Sequence, residues 1–178
     1  MIQLLPHKFD VRSLRSELDA HPEAWDQFRW RTDPPRSPHR ECSDIWARYS
    51  GEMKIAPKNQ PHESVWYPVV DVIPSTKYLT ERMMNLVDGK ELGGVLITKI
   101  PAGKQVYPHI DGGWHAEHYE KFAILVQGNM EQEFCFEDTG LRCQEGDSFT
   151  FNNQYPHWVK NPSADDRITL IICIRRAH

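Results

Sequence analysis

Between Gly93 and Arg175 the chain is a succession of short runs in which apolar and polar residues alternate or apolar residues dominate, separated by Gly, Pro, Asn or Asp. Strands are predicted over Gly93–Ile100, Lys104–Asp111, Lys121–Gln127, Met130–Glu137, Ser148–Asn153, His157–Lys160 and Arg167–Arg175. In Met130–Glu137 the alternation places Met130, Gln132, Phe134 and Phe136 on one face and Glu131, Glu133, Cys135 and Glu137 on the other, which should meet water. Phe122–Val126 and Ile168–Ile174 are nearly continuous apolar runs, the pattern of strands covered on both faces.

Before about residue 90 the period changes. Val11, Leu14, Leu18 and Trp25 recur at helical spacing behind Asp10, a capping residue, and predict a helix over Val11–Phe28. Leu79, Met83, Met84 and Leu86 predict a second over Thr80–Val87, ended by Asp88-Gly89. Pro34, Pro35 and Pro38 make Arg31–Pro38 a joint, because proline removes backbone donors. His39–Tyr49 alternates and reads as an added edge strand, with Trp25, Trp30 and Trp66 as packing residues. The expected fold is mainly β with flanking α: one domain over 1–178, made of a helical and extended elaboration (1–90) and a β barrel or sandwich (91–176).

Composition narrows the classes. With 178 residues, 39% hydrophobic, the chain can bury a sizeable core. A net charge of −4 and no Lys/Arg run give no electrostatic footprint for nucleic acid. Four cysteines without a CxxC pair, no signal-peptide pattern and no long apolar stretch predict a reduced, cytoplasmic protein outside the membrane.

The chemistry concentrates in Tyr107-Pro108-His109-Ile110-Asp111-Gly112, followed by His157 and then Arg167. Residues i and i+2 of a strand share a face, so His109 and Asp111 can reach one point while Ile110 turns into the packing. His157 opens a later strand that returns to the same end of a barrel. Two imidazoles and a carboxylate on one side of a metal suit Fe(II), with vacant positions for a bidentate cosubstrate and O2. The fork of Arg167 can pair with a carboxylate.

These residues resemble the Fe(II)/2-oxoglutarate-dependent oxygenases, most closely the aspartyl/asparaginyl beta-hydroxylase family. The resemblance rests on His109 and Asp111, on Glu145-Gly146-Asp147-Ser148-Phe149-Thr150-Phe151-Asn152-Asn153 running into Pro156-His157-Trp158-Val159-Lys160-Asn161, and on Asp166-Arg167-Ile168. It implies a double-stranded β-helix (jelly-roll, cupin-like) barrel in which His109, Asp111 and His157 hold Fe(II). Arg167 would bind the distal carboxylate of 2-oxoglutarate, and Lys121 would be a second basic residue facing that cosubstrate. It also implies hydroxylation of an amino-acid or peptide side chain, with O2 consumed and 2-oxoglutarate converted to succinate. The best-known members of that family lack the carboxylate that Asp111 supplies, so the group's name is not a guide to this chain's substrate.

Trp114–Tyr119 reads as a loop at the rim, with His115 and His118 solvated or facing substrate rather than ligating. Arg40 or Arg48, if turned to the site, would favour an anionic substrate. Two other classes share the same pattern: a cupin-type metalloenzyme that does not use 2-oxoglutarate, and a non-catalytic ligand-binding barrel.

Overall fold

The two continuous apolar runs form the middle of a seven-stranded antiparallel sheet. The computed structural model describes residues 2–51 and 60–177. In chain order the elements are β1 (Ile2–Lys8), α1 (Arg12–Ala20), β2 (Ser43–Ser50), β3 (Ser64–Trp66), α2 (Ser75–Leu86), β4 (Gly89–Ile100), β5 (Gln105–His109), α3 (Trp114–His118), β6 (Glu120–Gln127), β7 (Glu133–Phe136), β8 (Gly140–Leu141), β9 (Asp147–Phe151), β10 (His157–Lys160) and β11 (Arg167–Arg176). The large sheet has the order β1-β9-β6-β11-β4-β2-β3, and a four-stranded sheet, β5-β10-β7-β8, faces it. Together they form the expected jelly-roll.

Strand periodicity divides the core into two layers. On β6 and β11, Phe122, Ile124 and Val126 and Ile168, Leu170 and Ile172 join Leu14, Leu18, Leu79 and Met83 of the helices in one cluster. Their neighbours Ala123 and Leu125 turn the other way, into a second cluster between the sheets with Phe134, Phe136, Phe149 and Phe151. The helices thus cover the outer face of the large sheet, which is why its central strands are apolar on both sides.

Several elements differ from the sequence reading. The first helix ends at Ala20, not near Phe28, because Pro22 cannot donate to the preceding turn; a single 3-10 turn at Pro22–Ala24 follows. The second helix starts earlier, at Ser75, whose backbone N–H and hydroxyl both donate to the Glu17 carboxylate of α1, at 3.0 and 2.6 Å. β2 lies inside the sheet, since β3 pairs on its outer side. The first segment, to which the sequence pattern assigns no element, is the edge strand β1 against β9; its register shifts between Leu4 and Lys8, around Pro6, the position at which an edge strand tolerates proline. The N-terminal segment therefore supplies three strands of the large sheet as well as helices. In the smaller sheet, β7 begins only at Glu133, because Asn129–Gln132 form a turn and Gln132 is buried, donating to Ser163 Oγ at 2.9 Å. On the face expected to meet water, Glu131 and Glu137 are exposed and Glu133 is part-exposed, but Cys135, in register with Trp158 of β10, is 4% exposed; on the opposite face Met130 is exposed rather than packed.

The Glu145-Gly146 turn before β9 has a specific physical requirement. Gly146 has φ +84°, its N–H donates to Leu125 O, and its carbonyl accepts from Phe9 N at 2.8 Å. A Cβ there would lie 2.4 Å from Phe9 O. Gly146→Ala should destabilise the fold by about 2 kcal/mol or more, read as a lowered urea midpoint with unchanged m.

Candidate active site

The inner face of the large sheet does not close completely on the small one. Alternate residues of β4 (Leu96, Thr98, Ile100), of β11 (Arg167, Thr169, Ile171) and of β6 (Lys121, Ala123) line a cavity of about 80 Å³. The other wall includes His109, Asp111, Phe134 and His157. Apolar walls around a few converging polar groups are the usual character of a small-molecule site.

The two histidines meet because their strands pair: His157 of β10 is in register with His109 of β5, and the rings lie 4.4 Å apart. Asp111 is not on the strand as expected, since β5 ends at His109. A backbone bond places it instead, Asp111 N–H to Asn153 O at 3.1 Å, and the Asn153 amide donates to Asp111 Oδ2 at 3.4 Å and to Ala116 O at 3.1 Å. Ile110 between them is 55% exposed rather than packed, because the chain leaves the sheet there. One ligand atom from each of His109, Asp111 and His157 lies within 4.8 Å of the others.

Hydrogen bonding fixes what these atoms offer. Nδ1 of His109 lies 2.8 Å from Tyr107 O, and Nδ1 of His157 lies 2.9 Å from Tyr155 O. A carbonyl only accepts, so each Nδ1 carries a proton, and Nε2 is the atom that offers a lone pair when the ring is neutral. Burial lowers the His157 pKa and favours this neutral form. For Asp111, burial opposes ionisation, yet adjacent His109 and the Lys121 ammonium hold its carboxyl well below the usual range. His109 Nε2 and Asp111 Oδ1 lie 3.4 Å apart, and each can give an electron pair to a metal. A divalent cation would take the place of a proton between them and be shared with His157, so the donor set fits a two-histidine, one-carboxylate metal site.

Arg167 is the largest fully buried side chain, 1% exposed, and its Nη1 has no hydrogen-bond partner among the described residues. Burial without a carboxylate pulls its pKa down to about 10. An unpaired buried guanidinium is costly unless an anion completes it. Lys121 lines the same cavity, with its ammonium 3.9 Å from Asp111 Oδ2 and donating to Cys173 Sγ at 3.2 Å. Burial works against its charge, but Cys173 and Asp111 outweigh that and raise its pKa.

The sequence reading missed Arg31, His39 and Asn153. Arg31 opens the proline-rich joint and His39 directly follows it; both line the cavity, and the joint is tied to β5 by Tyr107 N–H to Pro38 O. The ring of His39 stands edge-on to His109 at 4.6 Å. One signal was available: Tyr-Pro-His occurs twice, at 107–109 and 155–157, and in both copies the tyrosine carbonyl holds the histidine ring. Arg40 and Arg48 do not face the site; Arg40 stacks on Tyr107, and Arg48 donates to the carbonyls of Leu92 and Gly93.

The expected rim loop is the short helix α3, and neither of its histidines joins the triad. His118 lies 3.1 Å from Glu91. His115 Nε2 accepts from Gly94 N–H at 3.0 Å, and burial pushes its pKa down to about 2. Since the unfolded chain takes up this proton near pH 6.5 and the folded chain refuses it, stability should fall as the pH drops below 6.5, by on the order of 1 kcal/mol per unit. Denaturant titrations between pH 7 and 5 should show a weaker pH dependence in His115→Gln.

Solved structures of other proteins share this fold. A prolyl hydroxylase of Trichoplax adhaerens, in complex with a hypoxia inducible factor peptide, superposes with TM-score 0.66 and 11% identity, over 97% of this chain and 82% of that one. A 2OG-Fe(II) oxygenase family oxidoreductase of Burkholderia pseudomallei gives 0.60 and 15% identity, over 99% and 84%. A Pseudomonas putida prolyl-4-hydroxylase gives 0.55 and 14% identity, over 99% and 93%. No curated protein sequence matches significantly. The profile of the aspartyl/asparaginyl beta-hydroxylase family matches residues 8–177, nearly the whole chain; the protein belongs to that family of hydroxylase enzymes.

Proposed function

We propose that the protein is an Fe(II)- and 2-oxoglutarate-dependent dioxygenase that hydroxylates an amino-acid or peptide side chain. The observation that supports it best is the pairing, in one cavity, of a His109-Asp111-His157 donor set with the unpartnered Arg167 guanidinium. A cupin-type enzyme without 2-oxoglutarate has no need of that buried cation.

His109 and His157 would hold the iron through Nε2 and Asp111 through a carboxylate oxygen, while Tyr107 O, Tyr155 O and Asn153 keep the three donors oriented. When bound, iron with 2-oxoglutarate would supply the oxygen activation, one oxygen atom of O2 entering succinate as CO2 leaves and the other entering the hydroxylated product. Arg167 would pair with the distal carboxylate of 2-oxoglutarate, and Lys121 would hold Asp111 ionised and add positive charge beside the cosubstrate. Phe134, Phe151, Val159 and Ile171 keep the cavity apolar and exclude water from it.

The peptide held by the Trichoplax relative supports a peptide or protein as one form of substrate. Four buried, unpaired cysteines suit a cytoplasmic setting, and no helix among the described residues is long and apolar enough to cross a membrane. Incubation with Fe(II), 2-oxoglutarate and O2 against a panel of amino acids and peptides tests the reading. Succinate should form in step with a substrate that gains one oxygen atom; metal-dependent turnover that leaves 2-oxoglutarate untouched would refute it.

A further inference from the structure

Arg31 has a construction that its place in a proline-rich joint did not suggest. Its Nε and Nη2 donate to the two carboxylate oxygens of Asp44, at 2.6 and 2.8 Å, and Nη2 also donates to Thr98 Oγ1. Asp44 and Thr98 are register partners on β2 and β4, so the guanidinium is clamped across two strands of the large sheet. Trp30, packed on Phe28, Trp46 and Tyr67, anchors the residue before it. Asp44 is fully buried behind the pair, whereas the Arg31 side chain stays 22% exposed where it lines the cavity. Nη1 has no partner among the described residues. Nε and both Nη2 hydrogens are thus engaged, and the Nη1 amino group of the charged guanidinium is left to donate to an anion that arrives from outside.

Charge balance points the same way. The cavity wall holds three cations, Arg31, Lys121 and Arg167, against Asp111 and the Asp44 that backs Arg31. A divalent metal and the dianionic cosubstrate would cancel each other, so the loaded site would still carry one positive charge more than its carboxylates balance. Arg167 and Arg31 also differ in access, being 1% exposed and partly exposed at the mouth respectively. The deep cation suits the cosubstrate, and the mouth cation suits a second anion that enters after it.

We propose that Arg31, held by Asp44 and Thr98 and flanked by His39, is the substrate-recognition residue of this site, and that the substrate binds it through a carboxylate. The proposal rests on the dioxygenase reading for the identity of the other occupants. A carboxylate there would accept from the Nη1 amino group of the clamped guanidinium, next to His39, whose ring stands edge-on to His109. A free amino acid would supply its α-carboxylate, and an acidic residue of a peptide its side chain.

Calorimetry on protein loaded with Mn(II) and 2-oxoglutarate, a metal that binds without turnover, separates these roles. The probes are the L-amino acids, their C-terminal amides, and N-acetylated, C-amidated aspartate and glutamate. At least one carboxylate should bind and lose about 10-fold or more in affinity as its amide; retention by the blocked acidic residues would assign the peptide form. Arg31→Lys, which keeps the charge but loses the fork, should weaken that probe by about 10-fold while changing the Kd of 2-oxoglutarate by less than about 3-fold. Because Asp44 would be stranded by a neutral residue, Arg31→Gln is combined with Asp44→Asn, and the double variant should weaken the probe about 100-fold. The proposal is overturned if no carboxylate binds, if amides bind as well as acids, or if both variants keep wild-type affinity. It is also overturned if they weaken 2-oxoglutarate instead. Failure of 2-oxoglutarate to bind the wild type would strike the dioxygenase reading alone, since the effect of Arg31 on carboxylate binding is read separately.

Discussion

Asp111→Ala and His157→Ala are each expected to lose bound iron and succinate formation while the sheets stay folded. Removing either donor leaves two ligands, and even the loss of an outer partner of a metal ligand costs about 10–100-fold in affinity; a direct ligand should cost about 100-fold or more. The fold should survive because Asp111 lies beyond the end of β5, held by a backbone bond that alanine retains. His157 begins β10, whose ladder partners His109 and Phe136 also pair through the backbone. Metal content after gel filtration, with far-UV circular dichroism as the control for folding, checks both halves. Succinate formation retained in both variants would contradict the ligand assignment.

Arg167→Met should separate function from stability with opposite signs. The guanidinium is buried with Nη1 unpartnered among the described residues, so it burdens the protein as long as no anion is bound. Methionine of similar length should leave the cosubstrate-free protein as stable or more stable, by about 1–4 kcal/mol, read as a higher melting temperature. The same change should raise the Kd of 2-oxoglutarate by about 100-fold, the effect of losing a bidentate charge-assisted pair. A variant that melts lower and still binds 2-oxoglutarate normally would assign Arg167 a structural role.

The central strands and the grouping of the candidate ligands were legible in the sequence for different reasons. Phe122–Val126 and Ile168–Ile174 are apolar on both faces because helices cover one side, and that pattern is local. Residue type, spacing and the family resemblance single out His109, Asp111, His157 and Arg167, and the structure brings them to one cavity. What could not be read depends on partners far away in the chain. The start of α2 at Ser75 is held by Glu17, β1 gains strand structure only against β9, and Asp111 owes its position to Asn153. Arg31 is the clearest case. Its local sequence says only that prolines interrupt a helix, and its place at the cavity mouth requires Asp44 and Thr98 on two different strands.

The most direct test of the central claim is an anaerobic titration of the protein with Fe(II) and then 2-oxoglutarate, followed by visible absorption. A site that chelates both should develop a weak metal-to-ligand charge-transfer band that saturates at one cosubstrate per chain, and Arg167→Met should shift its midpoint to higher 2-oxoglutarate. Saturating Fe(II) binding with no band at any 2-oxoglutarate concentration would contradict the account.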